Sequence, residues 1–152
     1  MASAHKTPLI VMDTNVLVAG ACRRPGSLAC RLLHGVLEGQ IPLILTPSIA
    51  LEYQDVLLRP GVLALTKLTH AQSVDLVADL IALSYQVQLD FVWRPNLSDE
   101  ADNKFVDAAV HGSAIILTYN VDHYRAPDIK QYGWAVMTPR EFLTRYPIEE
   151  AH

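Results

Sequence analysis

The chain has 152 residues, of which 51% are hydrophobic and 18% charged, so it can bury the core of one globular domain and is too apolar to be disordered. The formal charge of -4 excludes a uniformly positive surface for nucleic acid, and two cysteines are too few for a secreted disulfide scaffold. No apolar run approaches the roughly 18 residues of a membrane-spanning helix, and residues 1–8 lack the apolar core of a signal peptide. We therefore expect a single cytoplasmic domain over residues 1–152 with no membrane segment.

Strand-like apolar runs alternate along the chain with stretches whose apolar residues recur at helical spacing. In chain order we predict a strand at 7–12, a helix at 27–37, a strand at 41–45, a helix from 46 towards 59, a helix at 69–85, a strand at 87–92, a helix at 99–111, a strand at 114–118, a strand at 134–137 and a helix at 138–143. Because such alternation is typical of parallel strands joined by crossover helices, it predicts an α/β fold. We expect a three-layer α/β/α sandwich with a four- or five-stranded parallel sheet.

Acidic residues stand where predicted strands end or the next helices begin. Asp13 directly follows the first strand, where its side chain can either cap the next helix or point into the crevice at the carboxyl edge of the sheet. Glu52 lies one helical turn beyond the second strand, and a solvated helix position is its plainer interpretation. Asp102 lies near the start of the helix at 99–111, where a carboxylate also suits the helix dipole.

Further polar residues extend this pattern. Asp99 shares a helix face with Asp102, whereas Asp107 is turned about 140° away and is expected in a supporting position or on the surface. Asn120 and Asp122 follow the next predicted strand, where a turn is the plain explanation for both. Carboxylates that converge at one sheet edge would repel each other, and their oxygens suit Mg²⁺ or Mn²⁺. Such ions would let a net-negative protein act on a polyanion.

At these residues the chain resembles the PIN-domain family of metal-dependent ribonucleases, above all the VapC-like toxin components of bacterial toxin-antitoxin pairs. The resemblance covers nearly the whole chain. Four segments carry it, in this order: Leu-Ile-Val-Met-Asp-Thr-Asn at 9–15, Thr-Pro-Ser-Ile-Ala-Leu-Glu-Tyr at 46–53, Asp-Glu-Ala-Asp-Asn-Lys-Phe-Val-Asp-Ala-Ala at 99–109, and Ala-Ile-Ile-Leu-Thr-Tyr-Asn-Val-Asp at 114–122.

The resemblance implies roles for individual residues. Asp13, Glu52 and Asp102 take the positions of the family's catalytic, metal-binding acids, with Asp99 beside them, and Thr14 and Asn15 take its polar positions after the first strand. The implied substrate is RNA, cleaved by a metal-activated water with Mg²⁺ or Mn²⁺ as cofactor. A cognate antitoxin and a second copy of the chain, forming a homodimer, are the implied protein partners.

Asn120 departs from the family pattern, which usually has an acid two residues after the threonine of the fourth segment. An asparagine can still offer a carbonyl oxygen to a hard cation but contributes no negative charge, so a second metal ion would bind more weakly. Asp122, two residues later, could compensate through water or a local shift. A degenerate PIN module that binds RNA or a protein without cutting is therefore the main alternative function.

Three basic residues are candidates for RNA contact: Arg23 and Arg24, in a loop beyond the first strand, and Lys104, on the helix that carries Asp102. Ordinary solvated surface is the plainer interpretation of each. A phosphatase of the haloacid-dehalogenase type also has an aspartate after its first strand, but it requires a second aspartate two residues later, where this chain has Asn15. That feature argues against the phosphatase.

Overall fold

A computed structural model describes residues 7–86, 103–124 and 135–148 of the chain. The strands in these ranges are β1 (Ile10–Met12), β2 (Ile44–Leu45), β3 (Tyr85–Gln86), β4 (Ile115–Leu117) and β5 (Ala135–Met137). The helices are α1 (Thr14–Ala21), α2 (Leu28–Leu37), α3 (Pro47–Leu57), α4 (Pro60–Thr66), α5 (His70–Leu83), α6 (Asn103–Gly112) and α7 (Pro139–Arg145), and a short 3₁₀ helix spans Val121–Tyr124. None of the helices in these ranges is long and apolar enough to cross a membrane.

The strands are short and pair in parallel. Within the described ranges β1, β4 and β5 form a three-stranded sheet in the order β1-β4-β5, and β2 pairs with β3 as a separate two-stranded ladder. A single parallel bridge between Ile10 and Leu43 connects the two groups. The α/β class and the parallel strands are thus confirmed, whereas one continuous four- or five-stranded sheet is not what the pairing shows. The three-layer sandwich stays a prediction.

Local sequence signals explain where several helices begin. The hydroxyl of Ser27 accepts a hydrogen bond from the Cys30 N–H at the start of α2, and Thr46 caps α3 in the same way, with Pro47 as the first helical residue. Thr69 and Thr138 form capping boxes at the starts of α5 and α7. These caps explain why the predicted starts of the four helices agree with the structure within a residue or two.

Other predicted boundaries are wrong. The helix predicted at 69–85 ends at Leu83, and Tyr85 belongs to a strand, because it pairs with Ile44 of β2. Neither the bounds of α1 nor the existence of α4 was predicted. The strand predicted at 87–92, the first residues of the helix predicted at 99–111 and the first residue of the strand predicted at 134–137 lie outside the described residues.

The core fixes the strands whose ends carry the polar residues. All residues of β1 are fully buried, as are Tyr53 of α3 and Phe105 of α6. Burying one such large side chain stabilises the fold by about 1.5–3 kcal/mol. Helices α1 and α2 pack closely at Gly20, where a Cβ would lie 2.8 Å from the Ala29 carbonyl oxygen. The helix that begins beside Asp13 therefore packs tightly against α2.

Candidate active site at the carboxyl ends of β1 and β4

Asp13 lies at the centre of a polar cluster just beyond β1. Its backbone N–H donates to the Leu117 carbonyl at 2.9 Å, which continues the pairing of β1 with β4 by one residue. Its side chain, only 7% exposed, makes no capping hydrogen bond to α1. Instead Asp13 Oδ2 accepts hydrogen bonds from Thr118 Oγ1 at 2.8 Å and from the Tyr124 hydroxyl at 3.0 Å. The interpretation of Asp13 as a plain helix cap is thus wrong.

Thr118 is the residue through which the ends of the two strands are connected. It is fully buried directly after β4, and its Oγ1 accepts hydrogen bonds from the Asn120 backbone N–H at 3.0 Å and from Asn15 Nδ2 at 3.3 Å. Asn15 Nδ2 also lies 3.4 Å from Asp13 Oδ2, and Asn15 Oδ1 accepts from the Tyr119 N–H at 3.2 Å. The polar residues after β1 and β4 therefore form one hydrogen-bonded network.

Glu52 of α3 faces the same region. The Thr14 hydroxyl donates to Glu52 Oε2, and Lys104 Nζ of α6 lies 2.6 Å from Glu52 Oε1. The Glu52 and Lys104 side chains are 22% and 24% exposed. Because Thr14 adjoins Asp13 in the chain, its hydrogen bond to Glu52 brings the two predicted acids into one cluster. The interpretation of Glu52 as an ordinary solvated helix residue is wrong.

The electrostatics of the cluster reflect two carboxylates in a largely buried place. Burial raises the pKa of Asp13 above its usual value; the hydrogen bonds from Thr118 and Tyr124 lower it, and the nearby Glu52 raises it. Burial likewise raises the pKa of Tyr53 well above its usual value, and Asp13 and Glu52 raise it further. The Tyr53 hydroxyl therefore stays protonated, and it donates to the Met12 carbonyl at 2.5 Å. That bond anchors α3 to the last residue of β1.

The other predicted site residues occupy different environments. Asn120 and Asp122 have exposed side chains just after β4. Arg23 and Arg24 are exposed, and Arg23 Nη2 donates to the Thr66 carbonyl at 3.3 Å. Asp99 and Asp102 lie outside the described residues. Asp107, for which a surface position was one expectation, is buried with 3% of its area exposed.

Thr118, Tyr124 and Tyr53 were not among the predicted site residues. Thr118 could have been found, because strands that pair in parallel bring the residues directly after them together, and Met12 pairs with Leu117. Tyr124 carries no such signal, because its approach to Asp13 depends on the 3₁₀ helix that follows β4. Tyr53 reads in the sequence as one apolar residue of α3.

The described residues of the cluster provide oxygen ligands for a metal ion, but too few acids to form a metal site by themselves. Among residues 7–86, 103–124 and 135–148, no three acidic, histidine or cysteine side chains come together as a group that could hold a metal ion. Of the three acids predicted to be catalytic, Asp13 and Glu52 are among the described residues, and they accept hydrogen bonds from the hydroxyls of Thr118 and Thr14, respectively. Oxygen donors of this kind suit a hard divalent cation, which would also relieve the repulsion between the two carboxylates.

Comparisons with known proteins agree with this architecture. A family model described as PIN domain matches residues 9–122, three quarters of the chain. Among solved structures, the chain is similar to a chain in the crystal structure of VapBC2 from Rickettsia felis bound to a DNA fragment from their promoter. The TM-score is 0.54 at 12% sequence identity, over 86% of this chain and 98% of that chain, so the likeness concerns the fold. No curated protein sequence gives a significant match.

Proposed function

The chain belongs to the PIN domain family, and we propose that it is a Mg²⁺- or Mn²⁺-dependent ribonuclease that hydrolyses RNA phosphodiester bonds. The observation that carries this proposal is the buried Asp13 carboxylate, with Glu52 beside it, at the carboxyl ends of parallel strands. Active sites of open α/β folds lie at this edge. A buried carboxylate whose pKa is raised by burial and by a second acid is a typical candidate for function.

Asp13 and Glu52, together with Asp102 and Asp99, are the residues we propose as metal ligands, with Asn120 and Asp122 as further oxygen donors. When bound, the ion supplies an activated water for attack on phosphorus and neutralises the charge that develops on the phosphate. The side chains of Thr118, Tyr124 and Asn15 hold Asp13 through Oδ2, and the Thr14 backbone also hydrogen-bonds to this carboxylate. These contacts would fix its orientation towards the ion.

The chain's own residues do the positioning. Thr118 and Tyr124 donate to Asp13 and favour its ionised form, and Thr14 holds the Glu52 carboxylate. Thr14 and Asn15, expected at the substrate, already make hydrogen bonds within the cluster. Their contribution to RNA binding would therefore be indirect, through the orientation of the acids.

The phosphates of RNA are bound by cationic side chains. Because this chain has a net charge of -4, such side chains must be concentrated locally. Arg23 and Arg24 are exposed in the loop between α1 and α2, and they are the side chains we propose for phosphate contact. Lys104, the third candidate, is paired with Glu52 in this structure. A contact between Lys104 and RNA would require that pair to open.

The biological setting is part of the same proposal. The VapBC2 complex of Rickettsia felis contains a chain with this fold, which supports a role as the toxin component of a toxin-antitoxin pair. We propose a cognate antitoxin as protein partner, a homodimer as the oligomeric state and a cytoplasmic location. Coexpression with a candidate antitoxin, followed by size-exclusion chromatography, tests the partner. Elution of this chain as a monomer both with and without the candidate would contradict the proposal.

A cleavage assay tests the activity. Purified chain is incubated with RNA in Mg²⁺ or Mn²⁺ and in EDTA, with Glu52→Gln as the test variant and Asp55→Asn as its matched control. Both variants neutralise an acid of α3, but Asp55 is exposed and pairs with Arg59 at 2.9 Å. We expect cleavage that requires the ion, is lost in Glu52→Gln and persists in Asp55→Asn. Cleavage that survives EDTA, or equal activity of the two variants, would refute the assignment.

The degenerate binding module remains a second candidate because Asn120 stands where the family usually has an acid. The two functions differ in their response to metal. Calorimetric titration with Mn²⁺ should show binding for the nuclease, and an RNA gel-shift assay should show binding in EDTA for the module. RNA binding without metal binding or cleavage would favour the module.

A further inference from the structure

Lys104 forms an ion pair with Glu52, one of the predicted metal ligands. Its ammonium lies 2.6 Å from Glu52 Oε1, and about three quarters of each side chain is buried. The pair joins α6 to α3, which are 52 residues apart in the chain. This contact is long-range and partly shielded from solvent, unlike the exposed pair between Asp55 of α3 and Arg59, which lies just before α4.

Holding Lys104 in this pair has a cost. Ordering a long lysine side chain reduces its conformational entropy, and burying about three quarters of it removes part of its hydration. The carboxylate of Glu52 offsets these costs, because an ion pair that is partly shielded from water is stronger than one in bulk solvent.

Resting on the function proposed above, we propose that Lys104 is a built-in counter-charge for Asp13 and Glu52 and competes with the divalent cation for Glu52. Without an ion, the ammonium balances one of the two negative charges that Asp13 and Glu52 contribute. When an ion binds, the Lys104 ammonium is close to Glu52 Oε1, and the positive charges of the ammonium and the ion repel each other. Loading of the site therefore requires Lys104 to leave Glu52 Oε1.

Competition predicts that removal of the ammonium strengthens metal binding. We expect Lys104→Met, which keeps a long unbranched side chain, to lower the dissociation constant for Mn²⁺ about tenfold or more. Lys104→Arg keeps the charge and should not bind Mn²⁺ more tightly than the wild-type chain. Arg59→Met is the matched control: it removes one positive charge from the exposed pair with Asp55 and should leave the affinity unchanged. Calorimetry on the full chain with MnCl₂ alone measures all four proteins.

The counter-charge is tested separately in EDTA. Lys104→Met should lower the melting temperature, because it leaves two carboxylates uncompensated, and this loss should largely disappear when Glu52→Gln is also present. The four proteins form a double-mutant cycle whose coupling isolates the pair. Additive changes in melting temperature would overturn the counter-charge, and this test does not depend on nuclease activity.

The results separate this inference from the proposed function. Tighter Mn²⁺ binding in Lys104→Met, but not in Lys104→Arg or Arg59→Met, supports the competition. Weaker binding in Lys104→Met overturns it, because Lys104 would then hold Glu52 in the geometry that the metal needs. If neither wild type nor Lys104→Met binds Mn²⁺, both the competition and the metal dependence are refuted, while coupling in EDTA would still establish the counter-charge.

Discussion

Replacing Tyr124 with phenylalanine tests how much its hydrogen bond stabilises the buried, ionised Asp13. The substitution removes the hydroxyl that lies 3.0 Å from Asp13 Oδ2 but keeps the ring, which is 1% exposed, so it leaves no large cavity. A hydrogen bond to a charged group contributes about 1.5–3 kcal/mol to the free energy of unfolding. At about 2–4 °C per kcal/mol for a chain of this size, the melting temperature should fall by about 3–12 °C at neutral pH in EDTA.

The same variant should have a pH signature. Because the Tyr124 hydroxyl lowers the pKa of Asp13, its removal should raise that pKa further above the usual value. Above the folded-state pKa Asp13 is ionised and the full loss of stability is present. As the pH falls through that pKa the carboxyl becomes neutral and the difference between variant and wild type should shrink.

Tyr53→Phe is the matched control for this measurement. It also removes a buried tyrosine hydroxyl, but that hydroxyl donates to the uncharged Met12 carbonyl at 2.5 Å. Denaturant unfolding of the three proteins at neutral pH and at about pH 4.5, near the usual carboxyl range, gives the free energies to compare. Equal pH dependence in Tyr124→Phe and Tyr53→Phe would refute the view that Tyr124 stabilises a charged Asp13.

Three further outcomes are expected. Asp13→Asn should abolish cleavage and raise the melting temperature in EDTA. The melting temperature should rise because burial and Glu52 raise the pKa of Asp13, so its charge opposes folding. A lower melting temperature would mean that the carboxylate is chiefly structural. The gain in stability of Asp13→Asn should be complete above the folded-state pKa of Asp13 and should decline as the pH falls towards the pKa of the unfolded chain. Unfolding curves at several pH values measure this dependence. A gain in stability that grows in acid would contradict the raised pKa. Asn120→Asp should tighten Mn²⁺ binding and raise cleavage, most at low metal concentration, while slightly lowering the metal-free melting temperature; unchanged affinity and cleavage would mean that Asp122 already fills the role or that position 120 faces away from the site.

Local chemistry predicted much of the helical framework. The hydroxyl caps at Thr46, Thr69 and Thr138 are determined by residues within one turn, so they can be recognised without knowledge of the rest of the fold. The apolar run ending at Met12 is likewise typical of a strand covered on both faces, and β1 lies within it. From these elements alone, Asp13 and Glu52 were predicted to lie near each other at the carboxyl edge of the sheet.

The wrong or missing elements depend on contacts far away in the chain. Helix α1 contains β-branched residues and Gly20, so its local preference for helix is weak, and packing against α2 decides its conformation. Tyr85 continues the helical pattern of α5 in sequence, but in the structure it is a strand residue that pairs with Ile44 of β2. This pairing cannot be predicted from residues 69–85 alone, because it depends on where β2 lies.

The site shows the same division between local and long-range information. Asp13 was predictable because it follows a recognisable strand. The hydroxyls that lower its pKa belong to Thr118 and Tyr124, more than 100 residues further along the chain. Lys104 looked like a surface cation because a sequence shows a charge but not its partner. Its pairing with Glu52 required the packing of α6 against α3.

Asn120 and Lys104 affect the metal affinity of the proposed site in the same direction. An asparagine in place of an acid leaves one negative charge fewer after β4, and an ammonium on Glu52 cancels another. Both changes reduce the repulsion that the buried carboxylates would otherwise impose on the metal-free fold, and both reduce the attraction for a divalent cation. We therefore expect the proposed site to be stable without an ion and its proposed activity to depend on the metal concentration. The charge that favours folding without the ion is therefore the same charge that limits binding of the ion.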